Sequence, residues 1–221
     1  EGVSDATMND AVNNVGVGYN ALTSLTEGDG NTAVGKDALS FITTGENNVA
    51  IGISSFDAAT TQDECVAIGY NALGALNHDD ADGSIAIGFS AGAAITSGIG
   101  NVAIGYQALD AEDDGDFNTA VGYQALTAQT GTSGTVSNTA VGYQAGVAVT
   151  KGRYNTIMGK TALFTDDVGD GSTAIGYASL YAQNSDSDNE ATGNTGVGYY
   201  SGVYNVTGQN NTYLGYQAGL G

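Results

Sequence analysis

The chain has 221 residues, with 35 Gly, 13 Tyr, no Pro and no Trp, and its 24 acidic and 4 basic residues give a net charge of −20. This charge argues against nucleic-acid binding, because phosphate neutralisation needs Lys and Arg. No run of about 18 apolar residues predicts a membrane span. With Cys65 and His78 as the only residues of their kinds, the sequence excludes an internal disulfide framework and a multi-cysteine metal site. Because His78 is the only histidine, enzyme classes that need a catalytic histidine are nearly excluded as well, and we expect no enzyme.

A nine-residue unit of the form Asn-Thr-Ala-Val-Gly-Tyr-Gln-Ala-Leu recurs along the chain in twelve copies. We number each copy from its central glycine as position 0; these glycines are Gly18, Gly35, Gly52, Gly69, Gly88, Gly105, Gly122, Gly142, Gly159, Gly176, Gly198 and Gly215. The difference in number between successive central glycines is 17 at eight of the eleven steps, and 19, 20 or 22 at the other three. A fixed minimum with occasional additions indicates stacked coils whose insertions bulge outward. Residues 1–12 are then a lead-in, and residues 13–221 form a single repeat domain.

The pattern within each unit predicts a short strand followed by a turn. Positions −3 and −1 are mostly Val, Ile or Thr, and position −2 is small in ten copies; this alternation places −3 and −1 on one face. We expect these two positions, with the Leu or Phe at +4, to supply a thin core. Position +3 is Ala or Ser in every copy, which would allow another chain to approach closely. A second glycine at −7 in seven copies predicts a second tight turn with positive φ, joined to a second strand.

These features predict an all-β fold, a parallel β-solenoid of about twelve 17-residue coils spaced about 4.8 Å apart. Asn at position −4 in nine copies predicts a hydrogen-bonded ladder along the rod, with Cys65 as a small packed residue in that column. Because so narrow a roll would expose apolar surface, we expect several chains to pack side by side in a closed homo-oligomer.

Three runs, SIAIGFSAGA (84–93), NVAIGYQAL (101–109) and NTAVGYQAL (118–126), resemble the head repeats of trimeric autotransporter adhesins and related tail-fibre repeats of viruses and phages. The resemblance covers residues 13–221, although the repeats in adhesin heads are usually shorter than those of this chain. It implies a left-handed β-roll wound into a homotrimer, with a non-enzymatic fibrous or adhesive role outside the cell, on a cell surface or on a virion. The expected partners are further copies of the chain and a cell-surface glycan or receptor. A self-assembling extracellular filament and a glycan- or ice-binding solenoid remain open alternatives.

Twenty of the 24 acidic residues lie in the segments that connect the units. Oxygen-rich Asp/Gly loops could hold Ca²⁺, although none matches a complete EF-hand loop or the nonapeptide of calcium-binding rolls. The calcium candidates are Asp79, Asp80, Asp82, Asp114 and Asp116. We favour the alternative, a solvated, self-repelling ridge along one edge, and expect no cofactor.

Position +1 is aromatic in nine copies. Tyrosines spaced along a rod can stack on sugar rings while their hydroxyls meet sugar hydroxyls, or they can pack on one another or across a subunit interface. The residues concerned are Tyr70, Tyr106, Tyr123, Tyr143 and Tyr177. We favour packing, because so regular a column fits a structural role better than selective recognition.

Overall fold

The computed structural model describes residues 11–78, 81–130, 134–185, 187–188 and 190–220. Within these ranges all regular structure is β, and there is no helix long and apolar enough to cross a membrane. The strands are β1 (Val15–Val17), β2 (Thr32–Val34), β3 (Val49–Ile51), β4 (Val66–Ile68), β5 (Ile85–Ile87), β6 (Val102–Ile104), β7 (Gly115–Asp116), β8 (Thr119–Val121), β9 (Gly134–Thr135), β10 (Thr139–Val141), β11 (Thr156–Met158), β12 (Gly169–Asp170), β13 (Thr173–Ile175), β14 (Glu190–Ala191), β15 (Thr195–Val197) and β16 (Thr212–Leu214).

The twelve three-residue strands form one parallel sheet in the order β1-β2-β3-β4-β5-β6-β8-β10-β11-β13-β15-β16. Each unit of the repeat therefore contributes one strand, which pairs with the same three positions of the next unit. Val15 of β1, for example, pairs with Thr32 of β2. The three longer spacings are absorbed between strands without a change of register, as in the pairing of Thr173 with Thr195. The predicted parallel β-solenoid is confirmed. Each of its turns corresponds to one repeat of the sequence, and most turns are 17 residues long.

A second strand forms in only a few of the described coils. β7 pairs with β9 and β12 pairs with β14, each as a separate two-stranded parallel sheet. The prediction of two strands in every coil is therefore wrong for most of the described chain. The turn chemistry also differs from the expectation, since the glycines at −7 do not adopt a positive φ. A Cβ on Gly28 would instead lie 2.2 Å from the carbonyl oxygen of Gly45, so glycine is needed there because successive coils approach closely.

The core lies on the opposite side of the strands from the one expected. The small residue at −2 points inward, whereas −3 and −1 face outward: Ala50 is fully buried, while Ile51 is 39% exposed. The small residues at +3 also line the interior of their own coil, as the fully buried Ala108 shows, so the expected contact of this column with another chain is wrong. The leucines at +4 occupy the same interior; Leu109 is fully buried. We attribute this inversion to the narrow interior of each coil, because large residues at +4 and +7 leave room only for a methyl group at −2.

The turn after each strand holds ordinary residues in the left-handed backbone region. Positions +2 and +4 both have positive φ, for example 50° at Gln107 and 53° at Leu109. This conformation costs a non-glycine residue about 1–2 kcal/mol. Burying a leucine side chain contributes about 1.5–3 kcal/mol, which offsets the strain at +4. The same backbone requirement explains why glycine replaces leucine at +4 in four copies, including Gly92 (φ 56°).

The asparagines at −4 bind neighbouring coils together, as the ladder prediction required, but mostly through the backbone. The side-chain Nδ2 of Asn155 donates to the carbonyl oxygen of Gly169 (2.8 Å), and its Oδ1 accepts the N–H of Ser172 (2.8 Å). Cys65 continues the column: it is fully buried, and its N–H donates to Oδ1 of Asn48 (2.9 Å). Burial raises the pKa of the Cys65 thiol to about 11, so the thiol stays protonated at neutral pH.

Candidate binding surfaces

The aromatic residues at +1 form a stacked column on the outside of the rod. The ring centroids of Tyr70 and Phe89 are 5.2 Å apart, and those of Phe89 and Tyr106 are 5.3 Å apart. The column continues from Tyr106 to Tyr123 (5.1 Å) and from Tyr123 to Tyr143 (5.3 Å). All four pairs lie within 16° of parallel. Each such pair contributes about 0.5–1.5 kcal/mol beyond its buried area, so the column helps to hold the coils in register.

A lysine that interrupts the aromatic pattern in the sequence joins the same column in space. The Nζ of Lys160 lies 5.5 Å from the ring centroid of Tyr143 and 5.9 Å from that of Tyr177. These are cation–π distances. Beyond it, Tyr177 stacks on Tyr199 at 5.1 Å and Tyr199 on Tyr216 at 5.4 Å.

Stacking changes what the column can offer to a ligand. Tyr106 and Tyr123 each have a ring against both faces. They are still 42% and 44% exposed, since the ring edges and hydroxyls point outward. A sugar ring can therefore meet the edges and hydroxyls of these inner tyrosines, but it cannot lie flat on their faces.

The outer face of the main sheet is a second candidate surface. We define it as the side chains at positions −3 and −1 of the twelve units. All 24 are Val, Ile, Thr, Met or Leu, in a chain where 13% of residues are charged. Among those at −1, Val17 is 55% exposed and Met158 is 46% exposed. The single chain thus presents an uncharged, largely apolar strip along the full length of the sheet.

Acidic residues at −6 accept hydrogen bonds from the preceding coil, whereas we expected them to form a purely solvated ridge. The N–H of Asp63 donates to Oδ1 of Asp82 (2.8 Å), and the N–H of Ile99 donates to Oδ1 of Asp116 (2.9 Å). The same contact recurs through the carboxylates of Asp29, Asp63 and Asp170. Because an ionised acceptor strengthens a hydrogen bond, each of these five side chains helps to hold its coil against the preceding one.

The calcium candidates lie partly outside the described residues, since Asp79 and Asp80 belong to the undescribed part. Asp114 is half-buried, and Asp82 and Asp116 make the backbone contacts given above. In the ranges that the structure describes, no three His, Cys, Asp or Glu side chains are grouped so as to hold a metal ion. Calcium binding in this region stays an untested alternative to the solvated ridge that we favour.

Two carboxylates that we expected on the solvated ridge lie inside the solenoid, at position +7. Glu112 is fully buried, and its Oε1 accepts the N–H of Gly115 (2.8 Å) while Gln129 donates to its Oε2. Asp166 is 1% exposed and is bound in the same way by Gln183. Burial raises the pKa of Glu112. The sequence contained a signal for this, because the same position is apolar in other copies, as at Leu25, Ile42, Leu76, Ile95 and Val149.

Comparisons of the chain with protein-family models, with curated proteins and with solved structures give no match. Any inference about function therefore starts from the surfaces described above. The aromatic column and the outer face are two surfaces that a binding partner could contact.

Proposed function

We propose that this chain is a non-enzymatic fibre segment, either the head of a surface adhesin or the shaft of a viral tail fibre. In this proposal three copies of a left-handed roll assemble side by side, outside the cell, on a cell surface or on a virion. The trimer is rigid and presents its remaining surface to a receptor or glycan.

The outer face is the observation that supports this proposal. An exposed apolar strip of this length is unusual on a soluble monomer, where contiguous apolar patches rarely exceed a few hundred Å². Its side chains repeat at every coil in strict register, as in the pairing of Ile51 with Ile68 and of Ile87 with Ile104. A symmetric contact between identical rods would therefore bury the same contact at every level.

The chemistry of the reactive side chains supports a non-enzymatic role. Cys65 is buried with a raised pKa, so it is a poor nucleophile. Glu112 and Asp166 are enclosed in the interior, where a substrate would not reach them. Each has its hydrogen bonds satisfied within its own pair of coils.

Sedimentation equilibrium tests the proposal directly. The wild-type chain should sediment at three times its own mass and keep that mass on dilution. Ile87→Lys places a charge on the outer face of the central sheet, where Ile87 is 36% exposed, and should yield smaller species. Ser97→Lys is the matched control, because it makes the same change of charge at a half-buried position outside the outer face.

A wild-type chain that stays a well-folded monomer at high concentration would contradict the trimer. Open-ended growth to large masses would favour the filament instead. If Ser97→Lys dissociated the assembly as fully as Ile87→Lys, the outer face would not be the contact surface.

A further inference from the structure

A cavity of about 510 Å³ opens on the side of the rod near its last coils, in the size range of small-molecule sites. Four tyrosines line it, at positions +1, +5, +2 and +6 of two successive units: Tyr177, Tyr181, Tyr200 and Tyr204. None of these positions belongs to the outer face. A contact between rods through the outer face would therefore use other side chains.

The repeat does not explain these tyrosines. Of the 13 tyrosines, eight stand in the +1 column and five elsewhere, and three of those five line this one cavity. At +6, where Tyr204 lies, the other units carry mostly Ala, Ser or Thr, so the coil itself does not require an aromatic there. Tyr204 is 71% exposed, which exposes apolar surface without a gain in core packing.

The cavity offers an open aromatic surface with polar atoms beside it. Among the described residues, Tyr204 has no stacked aromatic neighbour, in contrast to the rings of the +1 column. Tyr177 and Tyr200 meet edge to face, with centroids 5.2 Å apart and planes at 88°. A hydrogen bond with Tyr177 and partial burial raise the pKa of Tyr200 to about 12. Thr161 and Gln217, whose side chains carry a hydroxyl and an amide, also line the cavity.

Charge narrows the class of ligand. The chain carries a net charge of −20, yet none of the described residues lining the cavity is charged. The ammonium of Lys160 lies 5.9 Å from the ring centroid of Tyr177, but Lys160 is not one of the lining residues. Rings that take the apolar face of a sugar, beside hydroxyl and amide groups that bond its hydroxyls, suit an uncharged ligand of mixed character. We propose that this cavity binds a neutral hexose oligosaccharide, stacked on Tyr204 and hydrogen-bonded by the Tyr200 hydroxyl and the Gln217 amide.

The test is a titration of the wild-type chain with three neutral oligosaccharides, maltohexaose, cellohexaose and laminarihexaose, followed by isothermal calorimetry and by NMR shifts of the tyrosines. At least one should bind at millimolar concentration or below. Tyr204→Ala should weaken that binding at least tenfold, and Gln217→Ala should weaken it several-fold. Tyr154→Ala is the matched control and should bind as wild type does, because Tyr154 is 55% exposed and lies outside both the aromatic column and the cavity lining.

Circular dichroism of each variant shows whether the coil is intact, and Tyr204 is exposed enough for its truncation to leave the fold unchanged. Absence of binding to all three probes would overturn the inference. Equal weakening by Tyr154→Ala would overturn it too. In a fourth titration, tighter binding of anionic 3′-sialyllactose than of any neutral probe would also overturn it. The inference rests on the adhesive part of the proposed function, but sugar binding and trimer mass are measured separately, so failure of one is distinguishable from failure of the other.

Discussion

The central glycines of the repeat make the sharpest prediction about stability. Gly105 has φ of +137°, and a Cβ built on it would lie 2.4 Å from the carbonyl oxygen of Gly122 and 2.6 Å from its carbonyl carbon. Both neighbouring atoms belong to a backbone that is fixed by strand pairing between β6 and β8. The clash therefore cannot be relieved by turning a side chain.

The size of the effect of Gly105→Ala follows from two contributions. A non-glycine residue in this backbone region costs about 1–3 kcal/mol, and forcing two packed coils apart costs about 1–3 kcal/mol more. Their sum, about 2–6 kcal/mol, is a large part of the 5–15 kcal/mol that is typical of whole domains. Gly215→Ala separates the two contributions: Gly215 has φ of +117° with no atom within 4 Å of the added Cβ, so only the backbone strain applies.

Urea unfolding followed by far-UV circular dichroism measures the loss, and hydrogen exchange at Ile104 and Val121 locates it. We expect Gly105→Ala to lower the unfolding free energy more than Gly215→Ala does. The protection of strand amides should fall beside the substituted coil. Equal losses in the two variants would show that the close approach of coils at this column contributes nothing, and the geometric reasoning would then fail.

The other predictions concern the interior. Ala108→Leu overfills the core and should cost about 1–3 kcal/mol of unfolding free energy, whereas Ala111→Leu, half-buried in the same coil, should cost little; urea midpoints compare the two. Asn155→Ala leaves a carbonyl and an N–H of the adjacent coils without partners, at about 1–3 kcal/mol each, and should destabilise more than Asn155→Ser, which keeps an acceptor. Because burial raises the pKa of Glu112, its contribution to stability is full below the unfolded pKa of about 4.3 and is lost as pH rises through the folded pKa. In thermal melts, the melting temperature of Glu112→Gln should therefore rise relative to that of the wild type between pH 4 and pH 7, whereas that of the exposed control Glu46→Gln should not. If the melting temperatures of Glu112→Gln and the wild type changed in parallel with pH, this reasoning would be wrong.

The register of the solenoid could be predicted, because the spacing of the repeats in the sequence directly sets which residues pair between strands. In an in-register parallel sheet, the offset between paired residues equals the distance between repeats in the sequence. The longer step from the fourth unit to the fifth therefore reappears as the pairing of Val66 with Ile85. Insertions leave this relation intact as long as they loop outward between strands.

The direction in which the strands face could not be predicted in the same way. Alternation shows that −3 and −1 share a face and that −2 lies on the other, but it does not say which face is inside. The larger side chains at −3 and −1 were therefore the expected core. The left-handed turn at +2 and +4 could not be recognised from the sequence, because most copies have no glycine at these positions. That turn directs Leu109 and its equivalents inward, which fills the space that larger side chains at −2 would need.

This inversion is what connects the fold to the proposed assembly. Had Val102 and Ile104 been core residues, the rod would have buried its β-branched side chains and left a small-residue surface. Instead the interior is completed by Ala103, Ala108 and Leu109, which are at most 1% exposed, without help from another chain. Because each coil closes its own core without the Val and Ile side chains on its outside, these side chains remain available for an apolar contact between rods. Ile87→Lys should therefore dissociate the proposed trimer while each rod stays folded, whereas Ala108→Leu should destabilise each rod first.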